Sequence, residues 1–431
     1  MEDTKIDVIV VGGGPAGVSA AITLAHAGKR VVLVERGIFS GSKNMFGGQI
    51  FTSSVRDIFP DFEEKAPLER AIWEHKYMIL GENDSTSISY KKNMKSGYTV
   101  IRAKWDRWCV EEAKKAGVYF IPETLVEGLV MNENKVVGIK TAIEEFLAPI
   151  TIIADGVNSL LVKQLNPKRV QKPDGMALSV KEVYELNSVL INQRFNLKDN
   201  QGTAIEIIGE PFNGMFGLGF IYTNKDSISL GIGVGLEQLK NTGIKPYELL
   251  DNLKKHPEIA PFFEGAKLKE YSAHLIPEDG YKNLPNLYGN GFLVAGDAAG
   301  FVNNVHFEGT NLAMISGKLA GESAILALEH NDFSENMLSI YKKKLNQSFV
   351  LKDLKTYDNV AHTIEKNSKI FLGFYPSKIN EFFNIFVKAD GTPKGLGYRK
   401  FIKDVLKKRN IFAICTDMLK LLCIAFGVLK R

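Results

Sequence analysis

The stretch Ile6-Asp7-Val8-Ile9-Val10-Val11-Gly12-Gly13-Gly14-Pro15-Ala16-Gly17 decides the fold of this chain. A mostly apolar run of strand character ends at Gly12, and Gly12, Gly14 and Gly17 satisfy the spacing G-x-G-x-x-G. Such glycines permit a tight turn and let the backbone approach a pyrophosphate, and the start of the following helix offers N–H groups and a partial positive charge. The candidate contacts of a bound dinucleotide are therefore Gly12, Gly14, Pro15, Ala16 and Gly17.

The residues that follow complete a βαβ unit. Residues 15–28 have the pattern of a helix and residues 30–35 that of a second strand, which ends at Glu35. A carboxylate at this place can accept both hydroxyls of an adenosine ribose, and Arg36 can lie over the adenine. A glycine-rich turn of an unrelated α/β protein is the alternative, and this motif alone does not distinguish FAD from NAD.

A second glycine-containing strand indicates FAD. Residues 291–300 read Gly-Phe-Leu-Val-Ala-Gly-Asp-Ala-Ala-Gly, an apolar strand that ends at Gly296 and Asp297. In a two-part FAD site this aspartate reaches the ribitol chain, and the small residues beside it let the backbone approach the diphosphate. A strand and turn with a purely structural role is the alternative.

Two shorter pieces agree with an FAD site. Gly309, Thr310 and Asn311 open a helix whose N–H groups would face the pyrimidine edge of the flavin, where negative charge develops on reduction. Asp155 follows a buried strand and, with Gly156, turns the chain towards the cofactor. Alone, that pair is a common turn; in this order it strengthens the prediction of FAD.

Four further residues complete the set of candidate cofactor contacts. Gly47 and Gly48 would lie against the flavin ring, unless their segment is a surface loop. Arg102 begins a helix and could reach the diphosphate with support from Asp106, although helix packing with an i,i+4 salt bridge is an equally open interpretation. Val126, in the strand expected at residues 124–131, is the fourth.

Several classes of function are disfavoured by what the sequence lacks. No second G-x-G-x-x-G follows, so direct use of a nicotinamide cofactor is disfavoured. The three cysteines form no C-x-x-C pair, and the seven histidines show no i,i+4 pairing, so we expect no metal on this chain. The cysteine usage fits a reducing compartment. A net charge of +5 is too small to indicate nucleic-acid binding.

These signals predict an α/β protein with a glutathione-reductase-like FAD-binding Rossmann fold, an inserted antiparallel-sheet substrate domain and a helical C-terminal region. The middle of the chain alternates apolar and polar residues, as expected of an antiparallel sheet. The segments assigned to the FAD-binding domain are 1–75, 98–174 and 285–330. The segments assigned to the substrate or quinone domain are 76–97 and 175–284, and residues 331–431 form the helical region.

The ordered set of motifs resembles the FixC proteins. The resemblance covers residues 5–330 and rests on the segments 44–48, 101–108, 155–159, 271–280, 296–300 and 308–313. FixC proteins are similar to the flavin portion of electron-transfer flavoprotein:quinone oxidoreductases, within the wider geranylgeranyl reductase group. The full-length quinone oxidoreductases carry a C-terminal cluster domain with four cysteines, which this chain lacks.

The resemblance implies a complex and a reaction. A small FixX-type, ferredoxin-like subunit would supply the iron–sulfur cluster, and the alpha and beta subunits of an electron-transfer flavoprotein would supply electrons by bifurcation. Electrons would pass through FAD, which carries the redox chemistry, to a membrane quinone, either menaquinone or ubiquinone. Reduction of isoprenoid double bonds by a geranylgeranyl or prenyl reductase is the alternative. The Tyr-x-Trp-x-Phe-Pro type of run usual in those reductases is absent at residues 217–224.

The C-terminal region indicates contact with a membrane surface. Residues 411–429 are largely apolar, yet Asp417 and Lys420 lie among them, and each would cost about 2.5–3.5 kcal/mol at a bilayer centre. The predicted helix is flanked by basic residues and suits an anionic interface better than a membrane span. We therefore expect a peripheral protein on the cytoplasmic face of the membrane. Packing of this helix on the protein's own core or on a partner is the alternative.

Overall fold

The computed structural model describes residues 5–43, 48–167 and 173–429, and it confirms the α/β class with FAD-binding topology. The chain forms two compact units. The first unit consists of Met1–Ala71, Ser96–Ala177 and Ser272–Lys355. The second unit consists of Ile72–Lys95, Leu178–Tyr271 and Thr356–Arg431.

The secondary-structure elements are as follows, in chain order. The strands are β1 (Val8–Val11), β2 (Val31–Val34), β3 (Gln49–Phe51), β4 (Ala71–Leu80), β5 (Ser85–Lys91), β6 (Gly97–Thr99), β7 (Tyr119–Ile121), β8 (Val126–Asn132), β9 (Lys135–Thr141), β10 (Glu145–Leu147), β11 (Ile150–Ile153), β12 (Met176–Glu185), β13 (Gln201–Gly209), β14 (Gly217–Thr223), β15 (Ser227–Gly235), β16 (Lys267–Pro277), β17 (Tyr288–Gly289) and β18 (Phe292–Val294). The helices are α1 (Pro15–His26), α2 (Thr52–Arg56), α3 (Phe62–Lys65), α4 (Arg102–Lys115), α5 (Leu160–Leu165), α6 (Ser188–Phe195), α7 (Leu236–Thr242), α8 (Pro246–Lys255), α9 (Ala260–Phe263), α10 (Thr310–Glu329), α11 (Glu335–Leu338), α12 (Ile340–Gln347), α13 (Phe349–Lys366), α14 (Tyr375–Val387), α15 (Lys394–Lys408) and α16 (Ile411–Leu429). A π-helical segment, Lys369–Phe374, precedes α14.

A mostly parallel sheet forms the centre of the first unit, in the order β17-β18-β11-β1-β2-β7. Val8 pairs with Val31 on one side and with Ile150 on the other, both in parallel. All four residues of β1, β2 and β11 are buried, as expected for parallel strands covered on both faces. Because parallel strands end at one edge, the turns after β1, β2, β11 and β18 come together there.

Two helices of the first unit pack unusually closely. A Cβ on Gly317 of α10 would collide with the backbone oxygen of Ala16 in α1, and a Cβ on Gly321 would lie 2.9 Å from the oxygen of Ala20. The two glycines therefore let the backbones of α1 and α10 approach each other directly. This contact joins the first βαβ unit to the helix that follows the second FAD motif.

The boundary expected at residue 331 falls inside the first unit. Residues 331–355 belong to that unit rather than to the C-terminal region. Tyr341 of α12 is fully buried, and its hydroxyl donates a hydrogen bond of 2.9 Å to the backbone oxygen of Val294 in β18. Leu338, Leu345 and Val350 are buried in the same core. Packing against the parallel sheet therefore decides where these helices belong.

A larger, mainly antiparallel sheet dominates the second unit. Its strands there follow the order β16-β12-β15-β14-β13-β4, and β5 pairs with β4. One face carries large aliphatic side chains, such as Ile205 and Ile207 of β13, which pack with Leu249 and Leu253 of α8 in a second hydrophobic core. Burying this face orients the alternate side chains of every strand to the opposite face.

Candidate FAD site

The glycine turn after β1 contains two kinds of glycine. Gly12 has a φ of 105°, and a Cβ there would collide with the backbone oxygen of Ala154. A Cβ on Gly17 would collide with the oxygen of Gly12. The protein's own backbone thus requires both glycines. Gly14 has a φ of −75°, and a Cβ added there would meet no atom within 4 Å, so the fold itself does not demand a glycine at this position.

Glu35 is held beside this turn by backbone donors. The N–H of Gly13 donates to its Oε2 at 2.8 Å, and the N–H of Gly37 donates to its Oε1 at 2.7 Å. Each carboxylate oxygen can accept further hydrogen bonds, so the group is positioned to receive ribose hydroxyls as well. Arg36, next along the chain, is exposed at the same edge. Sequence reasoning missed Gly37, since no motif contains it.

Val126 reaches the same edge through the backbone. The N–H of Thr124 donates a hydrogen bond of 2.9 Å to the backbone oxygen of Glu35, and β8 begins two residues later with the buried Val126. Its side chain therefore starts close to the end of β2, where an adenosine would lie. The hydrogen bond at Thr124 thus places the segment just before β8 beside Glu35.

Arg102 and Asp106 form a buried, two-bond ion pair on α4. Arg102 Nε lies 2.9 Å from Asp106 Oδ1, and Nη2 lies 2.8 Å from Oδ2, with both side chains under 5% exposed. Burial acts to lower the pKa of Arg102, but attraction to Asp106 and then to Asp297 raises it above its usual value. The i,i+4 salt bridge is thus present, and it holds a permanent positive charge near Asp297.

The second motif meets the first at Gly296. Its φ is 64°, and a Cβ there would lie 2.8 Å from the Cβ of Ala16. The next residue, Asp297, is in a one-turn 3-10 helix at the end of β18. Burial raises the pKa of Asp297 to about 6, partly offset by Arg102. The geometry therefore brings Gly296 against the start of α1, with Asp297 next to it in the chain.

Asp155 contributes an unsatisfied acceptor. Its Oδ1 is buried and has no hydrogen-bond partner among the described residues. Burial raises the pKa of Asp155 to about 6, while a hydrogen bond with Ser159 and the charge of Arg36 act in the opposite direction. A buried acceptor without a partner is costly, and a hydroxyl of a bound molecule would satisfy it.

The start of α10 offers donors and unsatisfied amides. Gly309 is the N-cap and Thr310 the first residue of the helix, and no side chain caps the first N–H groups. Among the described residues, Asn311 Oδ1 and Asn303 Nδ2 are buried without a hydrogen-bond partner. Helix N-termini favour negative charge and carbonyl oxygens. Sequence reasoning missed Asn303, which lies in a loop without a recognisable motif.

The loop before β3 is only partly described. Gly47 lies outside the described residues, so its predicted contact with the flavin has no structural counterpart here. Gly48 is buried, and its backbone oxygen accepts a hydrogen bond of 2.8 Å from the N–H of Val100. This bond ties the end of the loop to the segment that leads directly into Arg102.

The assembled residues fit FAD. The first unit brings together a glycine turn at a helix N-terminus, a positioned carboxylate, a buried Asp near a fixed Arg, and a second helix N-terminus. The unsatisfied buried atoms and the open space at Gly14 indicate a ligand with hydroxyls, phosphates and a polar ring edge. When bound, FAD supplies reversible electron transfer that no side chain of the chain can provide.

Comparison with known families agrees with this geometry. Residues 7–162 match the model of the FAD dependent oxidoreductases, residues 176–276 match "ETF-QO, ubiquinone-binding", and residues 360–423 match "ETF-QO/FixC family C-terminal domain". The chain is therefore an FAD-dependent oxidoreductase. Within that class it belongs to the ETF-QO/FixC family, which confirms the resemblance found in the sequence.

Full-length relatives show the same membership. Protein FixC of Bradyrhizobium diazoefficiens is 41% identical over 97% of this chain and 98% of its own. The probable electron transfer flavoprotein-quinone oxidoreductase YdiS of Escherichia coli is 38% identical over 97% and 99%. A geranylgeranyl bacteriochlorophyll reductase-like structure from Thermoplasma acidophilum has a TM-score of 0.72 over 94% of this chain and 96% of its own. It is only 18% identical, so it supports the fold alone.

Proposed function

We propose that this chain uses FAD to pass electrons from an electron-transfer flavoprotein to a membrane quinone. The observation that carries the proposal is the match of residues 176–276 to the ubiquinone-binding family model, in the same chain as the FAD site. These residues build most of the antiparallel sheet of the second unit. The name of the YdiS relative, which pairs an electron transfer flavoprotein with a quinone, supports the same direction of flow.

The geometry of the first unit supports most of the proposed FAD contacts. Gly14 and the start of α1 bind the pyrophosphate, and Glu35 binds the adenosine ribose beside Arg36 and Val126. Asp297, supported by Arg102, binds the ribitol. The start of α10 and Asp155 bind polar atoms elsewhere on the cofactor. The remaining contacts in this proposal are Gly12, Pro15, Ala16, Gly17, Gly47, Gly48, Gly296, Gly309, Thr310 and Asn311.

The proposed partners are the alpha and beta subunits of an electron-transfer flavoprotein and a FixX-type ferredoxin-like subunit. A cubane cluster needs four thiolates, and the three cysteines of this chain cannot supply them. Cys109 is buried, and Cys415 and Cys423 are exposed on α16. In this proposal the iron–sulfur cluster belongs to the small subunit, and the complex bifurcates electrons between a low-potential carrier and the quinone.

The C-terminal helix supports a peripheral position at the membrane. Asp417 is 1% exposed, and it pairs through two bonds with Arg409 and accepts a hydrogen bond of 2.9 Å from the hydroxyl of Tyr375. Lys420 donates to Asn367 Oδ1 at 2.6 Å. Asp417 and Lys420 of α16 therefore face the protein. Among the side chains of α16 that the structure describes, the exposed large apolar ones are Ile411, Phe412, Met418, Leu419, Leu421 and Leu422.

The exposed apolar face of α16 points away from the protein. We propose that it contacts the lipid surface of a membrane. In the part of the chain that the structure describes, no helix has the length and apolar character to cross a bilayer. Exposed lysines at 407 and 408, just before α16, would attract anionic headgroups. We therefore infer that the second unit lies on the cytoplasmic face of the membrane, with the apolar face of α16 in the interface.

The quinone reaction can be tested on the holoprotein. Its flavin is reduced anaerobically with one equivalent of dithionite, and a menaquinone analogue is added. We expect the yellow absorbance of oxidised FAD to return when the quinone is mixed in. A geranylgeranyl lipid should leave the flavin reduced. If the quinone leaves the flavin reduced and the lipid reoxidises it, the protein is a prenyl reductase and the proposal is wrong.

The membrane position makes a separate prediction. Replacing Phe412, Leu419 and Leu422 together by serine should lower binding to anionic liposomes at least about tenfold in a flotation assay, because three exposed apolar side chains leave the interface. FAD content should not change. Ile143→Ser, at a residue 94% exposed in the first unit, is the matched control and should bind as the wild type does. Equal flotation of the triple variant would exclude the interfacial helix.

A further inference from the structure

The face of the second sheet opposite its hydrophobic core carries a row of unusual residues. On β13, Ile205 and Ile207 point into the core, so Glu206 points to the other face. Glu206 pairs with Phe220 of β14, and Phe220 pairs with Gly231 of β15. A carboxylate, an aromatic ring and a glycine therefore lie side by side across three neighbouring strands.

The same row continues to a buried lysine. Ser179 Oγ donates to the backbone oxygen of Ile232, and the N–H of Leu186 donates to the oxygen of Asp226, which fixes the pairing of β12 with β15. This antiparallel register places Lys181, which is 1% exposed, opposite Gly231. Three strand spacings separate it from Glu206, about 14 Å, so Lys181 is too far to pair with that carboxylate.

The carboxyl group of Glu206 has few groups near it that would stabilise its charged form. Its Oε2 is buried and has no hydrogen-bond partner in the described part of the chain. Burial raises the pKa of Glu206 to about 7, with its own backbone N–H acting in the opposite direction. The titratable groups that feel its charge are Tyr77 of β4 and Tyr222 of β14, whose pKa values are raised by burial and then by Glu206. Both are neutral near pH 7, so neither supplies a positive charge beside an ionised Glu206.

The surroundings of Glu206 suit a flat ring. Phe220 and Tyr222 stack with their centroids 4.8 Å apart and their planes within 23° of parallel. A Cβ on Gly231 would collide with the ring of Phe220, so the glycine lets that ring lie flat on the sheet. Tyr77 is half exposed and Glu206 and Tyr222 are partly exposed, so a molecule from solution can approach these three side chains, whereas Phe220 is 4% exposed.

Elements of the C-terminal region pack on the same strand. The π-helical segment Lys369–Phe374 and helix α14 both contact β13. Lys369 is exposed, and Lys378 of α14 is paired with Glu381 and with Asp404 at 2.6 Å. Lys369 and Lys378 are the cations of these two elements, and neither is paired with Glu206. The C-terminal region therefore packs on the strand that carries Glu206.

We propose that Glu206, in its protonated form, donates a hydrogen bond to a carbonyl oxygen of the quinone ring, which lies against Tyr222 beside Phe220. This inference rests on the proposed quinone reaction. A neutral carboxylic acid is a donor, whereas a carboxylate only accepts and would repel a carbonyl oxygen. Quinone affinity therefore falls as the pH rises through the range in which Glu206 ionises.

The role of Glu206 is tested by measuring quinone binding rather than enzyme turnover. Oxidised holoprotein is titrated with a decyl-benzoquinone between about pH 5.5 and 8.5, with bound quinone measured by equilibrium dialysis. Wild-type affinity should be constant at low pH and fall about tenfold per pH unit above about 7, because each unit removes about nine-tenths of the protonated form. Glu206→Gln keeps a donor of similar size, so it should bind within about threefold of the low-pH wild type and lose the pH dependence.

Controls separate the possible failures. Glu210→Gln changes an exposed carboxylate just beyond β13, and it should keep the wild-type pH profile. A wild-type affinity equal at about pH 6 and pH 8 would overturn the role of Glu206, whatever its variants do, and would leave the quinone reaction standing. Absence of quinone binding at every pH, with FAD content normal, would instead remove the proposed function and this inference with it.

Discussion

Replacing Gly14 by valine should strip FAD from the protein and leave the apoprotein folded. Gly14 has an ordinary extended backbone with nothing within 4 Å of a Cβ, so the fold tolerates a side chain there. The pyrophosphate of FAD needs that same space beside the start of α1. We expect FAD affinity to fall at least about 100-fold, or about 2.7 kcal/mol. The measurement is flavin titration of the apoprotein, with its thermal transition recorded alongside.

Two comparisons make this result specific. A Cβ added at Gly395 of α15 would also meet no atom within 4 Å, but Gly395 lies in the second unit. Gly395→Val should therefore bind FAD with the wild-type affinity. Gly12→Ala should instead destabilise the apoprotein, because its Cβ collides with Ala154. Normal FAD affinity in Gly14→Val would mean that the pyrophosphate does not bind at this turn.

Replacing Asp106 by alanine should destabilise the first unit by about 3–5 kcal/mol. The change removes the two-bond partner of the buried Arg102 guanidinium, and breaking a buried ion pair by removing one partner carries this penalty. FAD content should fall as well, since Arg102 is the charge that attracts Asp297. Urea unfolding of the apoprotein, followed through the transition of the first unit, measures the change.

The ion pair has a matched control on the same helix. Glu111 and Lys114 of α4 form an exposed pair at 3.0 Å, and Glu111→Ala should change stability by less than about 1 kcal/mol. Removing both buried charges, as Arg102→Met with Asp106→Leu, should recover most of the stability lost in Asp106→Ala, but not FAD binding. If Asp106→Ala lowers the unfolding free energy by less than about 1 kcal/mol, the Arg102 guanidinium is not held in a buried ion pair with Asp106.

The FAD site was largely predictable because its signals are local. The turn at Gly12–Gly17 needs glycines for backbone reasons that a short motif records, and Glu35 follows at a spacing set by one helix and one strand. Asp297 is recognisable because small residues must follow a buried strand that meets α1. Asn303 has no such signal, because its unsatisfied amide results from long-range packing.

Tertiary packing decides the features that the sequence left open. The sequence showed that Asp417 and Lys420 interrupt the apolar helix α16 but not which side faces the protein; the hydrogen bonds of Asp417 with Tyr375 and of Lys420 with Asn367 decide it. Tyr341 places α12 in the first unit through a bond to a strand 47 residues earlier. Glu206 looked like one polar residue of an alternating strand, and only the sheet register brings it beside Phe220.

The most direct test of the account is the flavin content of the purified chain. The structure and the family predict one FAD per polypeptide, released intact by denaturation because no covalent link is expected, and taken up again by the apoprotein. A colourless protein that fails to bind FAD on reconstitution would contradict the site built from Gly14, Glu35 and Asp297.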